Sequence, residues 1–247
     1  MTEVGRVAET WVYPFKSMKG VSLDEITVRS VSVQGDRRRA YLMQDTRREF
    51  AWLTTEQFPE MLQYSPYFVD PDSPGKSEIR VITPNGDDFS ADSKELLEEI
   101  SDRSKRKISL VKFGRAAYHS MPVSVISYSS VNLLSRQLGF NVDIRRFRQN
   151  IVMATADQIP FEEHQWTGRF LIFGNQDDGA RLLAVKPDGR CMTVNLDPDT
   201  AEQSPAVLRT VVKHYDNKIG LYATPAGQSQ GNIRVGDKIY LADSLSV

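Results

Sequence analysis

The sequence is poor in cysteine, with a single such residue, Cys191, among 247. One cysteine excludes an intrachain disulfide and a cysteine-ligated iron–sulfur cluster, and it suits a reducing compartment. The sequence also lacks an apolar run long enough to cross a bilayer, and its first residues lack the basic start and apolar stretch of a signal peptide. We therefore expect a cytoplasmic protein without a membrane span.

An excess of charge is also absent, because 31 Lys and Arg residues nearly balance 32 Asp and Glu residues. This balance argues against a nucleic-acid partner. His119, His164 and His214 lie too far apart in the sequence to form a paired metal site. No glycine-rich phosphate loop joins a strand to a helix, which argues against nicotinamide and nucleoside-triphosphate chemistry.

Short alternating runs between turn signals predict a mainly β (α+β) fold of the barrel or sandwich kind. Residues 144–155 and 192–196 are among the predicted strands. Helical features occur in three places: a capping pattern at Asp92 or Ser93 before residues 93–100, an apolar side with a glycine stop in residues 129–139, and an amphipathic pattern in residues 206–215. On the third helix, His214 is a candidate for the apolar side.

The stretch around Cys191 is the first candidate for a functional site. Arg190 precedes the cysteine, and the turn tetrad Asp197-Pro198-Asp199-Thr200 follows it. A thiol beside a guanidinium is in an electropositive setting that favours the thiolate. A lone cysteine in a soluble protein is nevertheless more often a small buried hydrophobic residue, so this stretch alone does not predict a function.

Basic residues supply further candidates, each weak by itself. Lys16 and Ser17 follow a proline on a predicted loop, where an ammonium, a hydroxyl and backbone N–H groups can meet a phosphate. On a strand, Arg146 and Arg148 would point the same way, with Asn150 beside them. An exposed turn and ordinary surface ion pairs explain the same residues without a ligand.

In combination, six blocks in this order strongly resemble the MOSC family (molybdenum cofactor sulfurase C-terminal domain), and especially its amidoxime-reducing branch. The blocks are residues 13–20, 35–38, 147–152, 161–166, 190–200 and 233–237. The resemblance implies an N-terminal companion β-barrel domain over residues 1–115 and a MOSC β-barrel with a few peripheral helices over residues 116–247.

The resemblance also implies a molybdenum-molybdopterin cofactor, with Cys191 as the metal ligand and catalytic residue. A soft thiolate suits such a metal. Two residues depart from the family pattern. Gln149 stands where the family usually has proline, and His164 stands where it usually has aspartate. His164 would lie near the substrate mouth and could help in proton transfer. By position, the implied cofactor-binding residues are Lys16, Ser17, Arg37, Ser120, Met121, Arg148, Asn150, Gly189 and Arg190.

The activity that the resemblance implies is the reduction of N-hydroxylated substrates such as amidoximes and hydroxylamines. Because one cysteine cannot hold an iron–sulfur cluster, the electrons would come from a separate donor protein: a reductase, or a ferredoxin-like or cytochrome b5-like partner. Two alternatives stay open. Cys191 could carry a persulfide for delivery to a metal centre, or the protein could bind and store the cofactor without turnover.

Overall fold

The computed structural model describes residues 1–47, 51–114, 120–175, 178–227 and 230–244. These residues form fifteen β-strands and three α-helices, which confirms the predicted mainly β fold. The strands, in chain order, are β1 (Thr2–Val12), β2 (Val21–Leu23), β3 (Glu25–Arg29), β4 (Arg39–Met43), β5 (Ser65–Phe68), β6 (Ile79–Ile82), β7 (Asp88–Ser90), β8 (Ile108–Lys112), β9 (Val123–Ser127), β10 (Ile151–Thr155), β11 (Phe170–Phe173), β12 (Arg181–Gly189), β13 (Lys218–Pro225), β14 (Gln230–Arg234) and β15 (Lys238–Ala242). The helices are α1 (Lys94–Ser104), α2 (Tyr128–Leu138) and α3 (Ala206–Tyr215).

Seven strands close into a barrel in the order β10-β9-β13-β12-β11-β15-β1, and β1 pairs back onto β10. Only the β9–β10 pair of this ring is parallel. The register of β1 shifts between Glu3 and Gly5 and again between Val7 and Glu9, and such bulges bend a strand. At Gly5 a Cβ would lie 2.4 Å from the carbonyl oxygen of Ala154, so the two chains could not approach this closely with any other residue.

The first strand therefore completes the barrel of the second half of the chain. The strand β3 likewise pairs with β14. The remaining sheets, β4-β8 and β5-β6-β7, belong to the first half. The predicted boundary between residues 115 and 116 lies outside the described residues and stays a prediction.

Local signals explain the helices. Ser93 caps α1 by accepting a hydrogen bond from the Leu96 N–H at 3.2 Å, and Gly139 ends α2 in the left-handed conformation. The helix α3 lies where it was predicted, but His214 is exposed, so its assignment to the apolar side was wrong. In the described part of the chain, no helix is long and apolar enough to cross a membrane.

Two predicted strands were wrong. The first is a 3-10 helix, Ile144–Phe147, before β10 begins, and the second is the 3-10 helix Met192–Asn195. Asp143 caps the first by accepting from the Arg145 N–H at 2.8 Å. In the second, the backbone N–H groups bond within the turn, and Val194 is buried without a sheet partner. Alternating hydrophobicity therefore indicated the burial of Phe147 and Val194, but it indicated neither the backbone conformation nor the burial of Arg146 and Asn195.

Candidate functional site

A cavity of about 450 Å³ opens beside the barrel and is lined by residues from both halves of the chain. Eight of the ten predicted site residues line it: Lys16, Ser17, Arg37, Met121, Arg148, Gly189, Arg190 and Cys191. Ser120 and Asn150 do not. The cavity therefore gathers segments that are up to 206 residues apart in the sequence, from Lys16 to Tyr222.

Cys191 is exposed and lies directly after β12, at the start of the 3-10 helix. Its Sγ is 3.4 Å from the Thr193 Oγ1, which is 2.7 Å from the Oγ1 of the buried Thr55. Two hydroxyl groups thus tie the cysteine loop to the N-terminal half. An accessible sulfur on a cavity wall is available to a ligand, unlike that of a packing cysteine.

The turn after the cysteine holds this loop in place. Asp197 accepts hydrogen bonds from the backbone N–H groups of Asp199 and Thr200 at 3.0 and 3.1 Å. Arg146, whose side chain is 7% exposed, donates to the Asn195 carbonyl at 2.9 Å and to Asp197 at 3.0 Å. Arg146 also lines the cavity, so one side chain joins the basic block to the cysteine block.

The sequence neighbour Arg190 does not provide the positive charge beside the sulfur, contrary to the prediction. Its guanidinium donates to the carbonyl oxygens of Ile219 and Phe147 and forms an ion pair of 2.8 Å with the buried Asp188. The extended backbone at Cys191 turns the two neighbouring side chains in different directions. The charge of Arg190 is therefore neutralised in the wall of the cavity.

Lys16 and Arg148 provide that charge instead. Burial lowers the pKa of Lys16 to about 8, and the guanidinium groups of Arg37 and Arg148 act in the same direction. Burial also lowers the pKa of Arg148, to about 10. In both cases the Cys191 sulfur is close enough to oppose the shift. Within the described residues, the Lys16 ammonium has no carboxylate or hydrogen-bond partner.

The Tyr13 ring contacts two of the cations. The guanidinium carbons of Arg37 and Arg148 lie 4.9 and 4.4 Å from the centre of its ring. Burial raises the pKa of Tyr13 to about 12, so its neutral hydroxyl donates to the Gln149 carbonyl at 3.2 Å. Arg148 donates through Nη1 to the Met18 carbonyl at 2.6 Å, whereas its buried Nη2 has no partner in the described part of the chain.

Left-handed backbone conformations occur at three of the predicted residues, Ser17, Arg37 and Arg148, with φ values of 72°, 46° and 53°. Non-glycine residues adopt this region at a cost of roughly 1 kcal/mol each, and such residues cluster at functional sites. All three line the same cavity. This clustering of left-handed residues agrees with a ligand site.

Asp36, the neighbour of Arg37, holds the basic side of the cavity together. Its carboxylate is fully buried and accepts from the Tyr13 N–H at 2.8 Å, from the Asn150 amide at 3.2 Å and from Arg37. Although burial disfavours the charged form of Arg37, this carboxylate outweighs burial and raises the pKa of Arg37. One buried group therefore links three of the sequence blocks.

Replacement of Asp36 by alanine is expected to lower the free energy of unfolding by about 3–5 kcal/mol, because it leaves a buried guanidinium and two buried donors without their acceptor. Urea denaturation measures the change. Asp24→Ala, at an exposed position, is the matched control and should change stability by less than about 0.5 kcal/mol. A loss below about 1 kcal/mol for Asp36→Ala would show that Asp36 does not hold this region.

Asn150 does not line the cavity, and its side chain joins neighbouring backbone segments through hydrogen bonds. Its amide donates to the Trp11 carbonyl and to Asp36, and its oxygen accepts from the backbone N–H and the hydroxyl of Ser124, all at 3.2 Å. The parity argument that placed it beside Arg148 failed because Arg148 is left-handed and ends a 3-10 helix. Ser120, next to residues outside the described part, is likewise not in the lining.

His164 does not line the cavity either, and its place near a substrate mouth stays a prediction. It lies in the 3-10 helix Glu162–Trp166, its ring contacts Phe161, and burial lowers its pKa. His119 lies outside the described residues. Among those that are described, no group of three or more His, Cys, Asp and Glu side chains could hold a metal ion.

Sequence reasoning missed several residues that line the cavity. Asp188 directly precedes the predicted Gly189, so extending that block by one residue would have found it. The others carried no signal, because the barrel register and the approach of the N-terminal half bring them in. They are Thr54, Glu56, Ser124, Asn217 and Tyr222.

A closed seven-stranded barrel with a basic cavity beside an exposed cysteine defines a β-barrel protein whose site suits an anionic ligand. The chain belongs to the MOSC family. Residues 100–240 match the MOSC domain, and residues 4–120 match the MOSC N-terminal beta barrel domain.

Two relatives agree with this assignment, and a solved structure shares the fold. The mitochondrial amidoxime reducing component 2 of Bos taurus is 24% identical over 97% of this chain and 84% of its own length. The mitochondrial amidoxime-reducing component 1 of Mus musculus is 23% identical over 98% of this chain and 83% of its own length. The YUAD protein from Bacillus subtilis shares the fold, with a TM-score of 0.52 and 13% identity over 98% of this chain and 97% of its own.

Proposed function

We propose that the protein is a molybdenum-pterin-dependent oxidoreductase that reduces N-hydroxylated substrates with electrons from a separate protein. The observation that carries the proposal is the exposed sulfur of Cys191 in a cavity whose nearest cations, Lys16 and Arg148, lack carboxylate partners in the described part of the chain. The names of the two mitochondrial relatives support the substrate class.

The residues present fit such a cofactor. A molybdopterin carries a phosphate, and the unpartnered Nη2 of Arg148 together with the Lys16 ammonium suits a dianion. Ser17 and Arg37 adopt left-handed conformations in the same wall. Cys191 would hold the metal, Gly189 and Met121 would contact the cofactor, and Arg190 would support the loop from behind.

When bound, the cofactor would supply the exchange of two electrons with the substrate, and the protein would supply ligation, orientation and electrostatics. Lys16 and Arg148 would neutralise the phosphate, while the Tyr13 ring would pack against the guanidinium groups of Arg37 and Arg148. The hydroxyl of Thr193 would fix the direction of the sulfur.

A persulfide carrier would also need an accessible thiol. It would not need a cavity of this size with two uncompensated cations in its wall, and this difference favours the cofactor. The single cysteine supports a separate electron donor, such as a reductase or a ferredoxin-like or cytochrome b5-like protein. It also supports a reducing, cytoplasmic location.

Turnover with and without a donor tests the proposal. The purified protein with benzamidoxime is expected to leave reduced nicotinamide unoxidised when alone. Addition of a cytochrome b5 and its reductase, or of a ferredoxin and its reductase, should start oxidation and yield benzamidine in equal amount. The proposal fails if molybdenum-loaded protein forms no benzamidine with either donor system.

A further inference from the structure

Glu56 is a carboxylate on the open side of the cavity. It is exposed and lines the same cavity as the exposed Cys191. In the described part of the chain, its carboxylate has no ion pair and no hydrogen-bond partner. A carboxylate in this setting is free to meet whatever ligand enters the cavity.

The backbone around Glu56 is fixed relative to the cysteine. The Thr54 N–H and hydroxyl donate to the side-chain oxygen of Gln57 at 3.0 and 2.8 Å, and the Glu56 N–H donates to the Thr54 hydroxyl at 3.3 Å. The next link is the bond between the hydroxyls of Thr55 and Thr193, beside the sulfur. The backbone position of Glu56 is therefore set by the same contacts that hold the cysteine loop.

The other charged groups in the cavity wall either have a partner already or would be compensated by a bound cofactor. Asp188, the second carboxylate of the lining, is bound by Arg190 at 2.8 Å and by the amide of Gln149 at 2.9 Å. The phosphate of a bound cofactor would compensate Lys16 and Arg148. Glu56 then remains as an exposed carboxylate of the lining without a partner in the described part of the chain, and a charged wall raises the local concentration of ligands of opposite sign.

We propose that Glu56 is a substrate-binding residue that favours compounds carrying amidine-type N–H groups next to the N–O bond, namely amidoximes and N-hydroxyguanidines. The carboxylate accepts hydrogen bonds from these groups and attracts the cationic product. It disfavours substrates that carry a carboxylate. This selection rests on the proposed function, in which two electrons from the partner protein and two protons cleave the N–O bond to give the amidine and water.

The test compares benzamidine, a cation, with benzamide, its neutral counterpart of the same shape, by calorimetric titration of molybdenum-loaded protein. Wild-type protein is expected to bind benzamidine about fivefold more tightly than benzamide, the upper range for one exposed charge pair. In Glu56→Gln the preference should fall below about twofold. Glu60→Gln, which removes a nearby exposed carboxylate outside the cavity, should keep it.

Benzamidoxime turnover on the same proteins separates the two proposals. A KM raised about fivefold in Glu56→Gln, with kcat nearly unchanged, supports the role of Glu56 in binding. A preference for benzamidine that is absent from wild type, or that survives in Glu56→Gln, overturns that role even if turnover is normal. Absence of turnover in all three proteins, with the preference still dependent on Glu56, overturns the reductase and supports Glu56 as the cation-selecting group.

Discussion

Replacement of Cys191 by alanine is expected to abolish amidoxime reduction, with the rate falling by more than about 100-fold, since the loss of groups that merely support a metal ligand already costs 10- to 100-fold. The chain offers no second sulfur from cysteine. Because the side chain is exposed, its loss leaves no core cavity, and the unfolding free energy should change by less than about 0.5 kcal/mol. Steady-state formation of benzamidine measures the rate.

Cys191→Ser serves as the conservative comparison. It preserves size and hydrogen bonding toward Thr193 but replaces a soft ligand with a hard one, so it should be nearly as inactive as the alanine variant. If either variant keeps more than about a tenth of wild-type activity with an unchanged fold, the sulfur is not needed for the chemistry and the proposed role of Cys191 is wrong.

Replacement of Arg148 by alanine is expected to weaken retention of the cofactor by about 10- to 100-fold, the effect of losing hydrogen bonds to a charged group. The physical reason is the guanidinium whose Nη2 is buried without a partner in the described part of the chain. Loss of molybdenum and phosphorus during dialysis, followed by elemental analysis, measures retention. Urea denaturation checks the fold, because the bond to the Met18 carbonyl is lost as well.

Two further variants test whether the loss of cofactor is specific to the Arg148 guanidinium. Arg148→Lys keeps the charge but not the planar pair of donors, so its retention should be intermediate. Arg136→Ala removes an exposed arginine of α2 and should behave as wild type. Equal retention in Arg148→Ala and Arg136→Ala would contradict the assignment of Arg148 to the phosphate.

The fold could be predicted only in part from local patterns. Capping and periodicity located all three helices, because those signals act within a few residues. Alternation did not distinguish strands from 3-10 helices at residues 144–147 and 192–195, because each run is too short to show its period, and each helix buries two consecutive side chains. The pairing of β1 with β10 and β15 links residues more than 140 positions apart, and nothing in the local sequence encodes it.

The candidate site could likewise be predicted only in part from the sequence. The blocks that carry the family resemblance identified Lys16, Arg148 and Cys191, which line one cavity. The expectation that Arg190 charges the sulfur failed, because adjacency in sequence does not determine where a side chain points. Glu56 was missed because its place depends on a contact between Thr55 and Thr193, which are 138 residues apart.

Elemental analysis of molybdenum in wild-type protein beside Cys191→Ala, both purified from a host that makes the cofactor, tests the central claim most directly. Wild-type protein should contain close to one molybdenum atom per chain and the variant much less, and the two proteins should have the same unfolding curve once the cofactor has been removed from both. Equal molybdenum in the two proteins, or amidoxime reduction by wild type that contains none, would contradict the account.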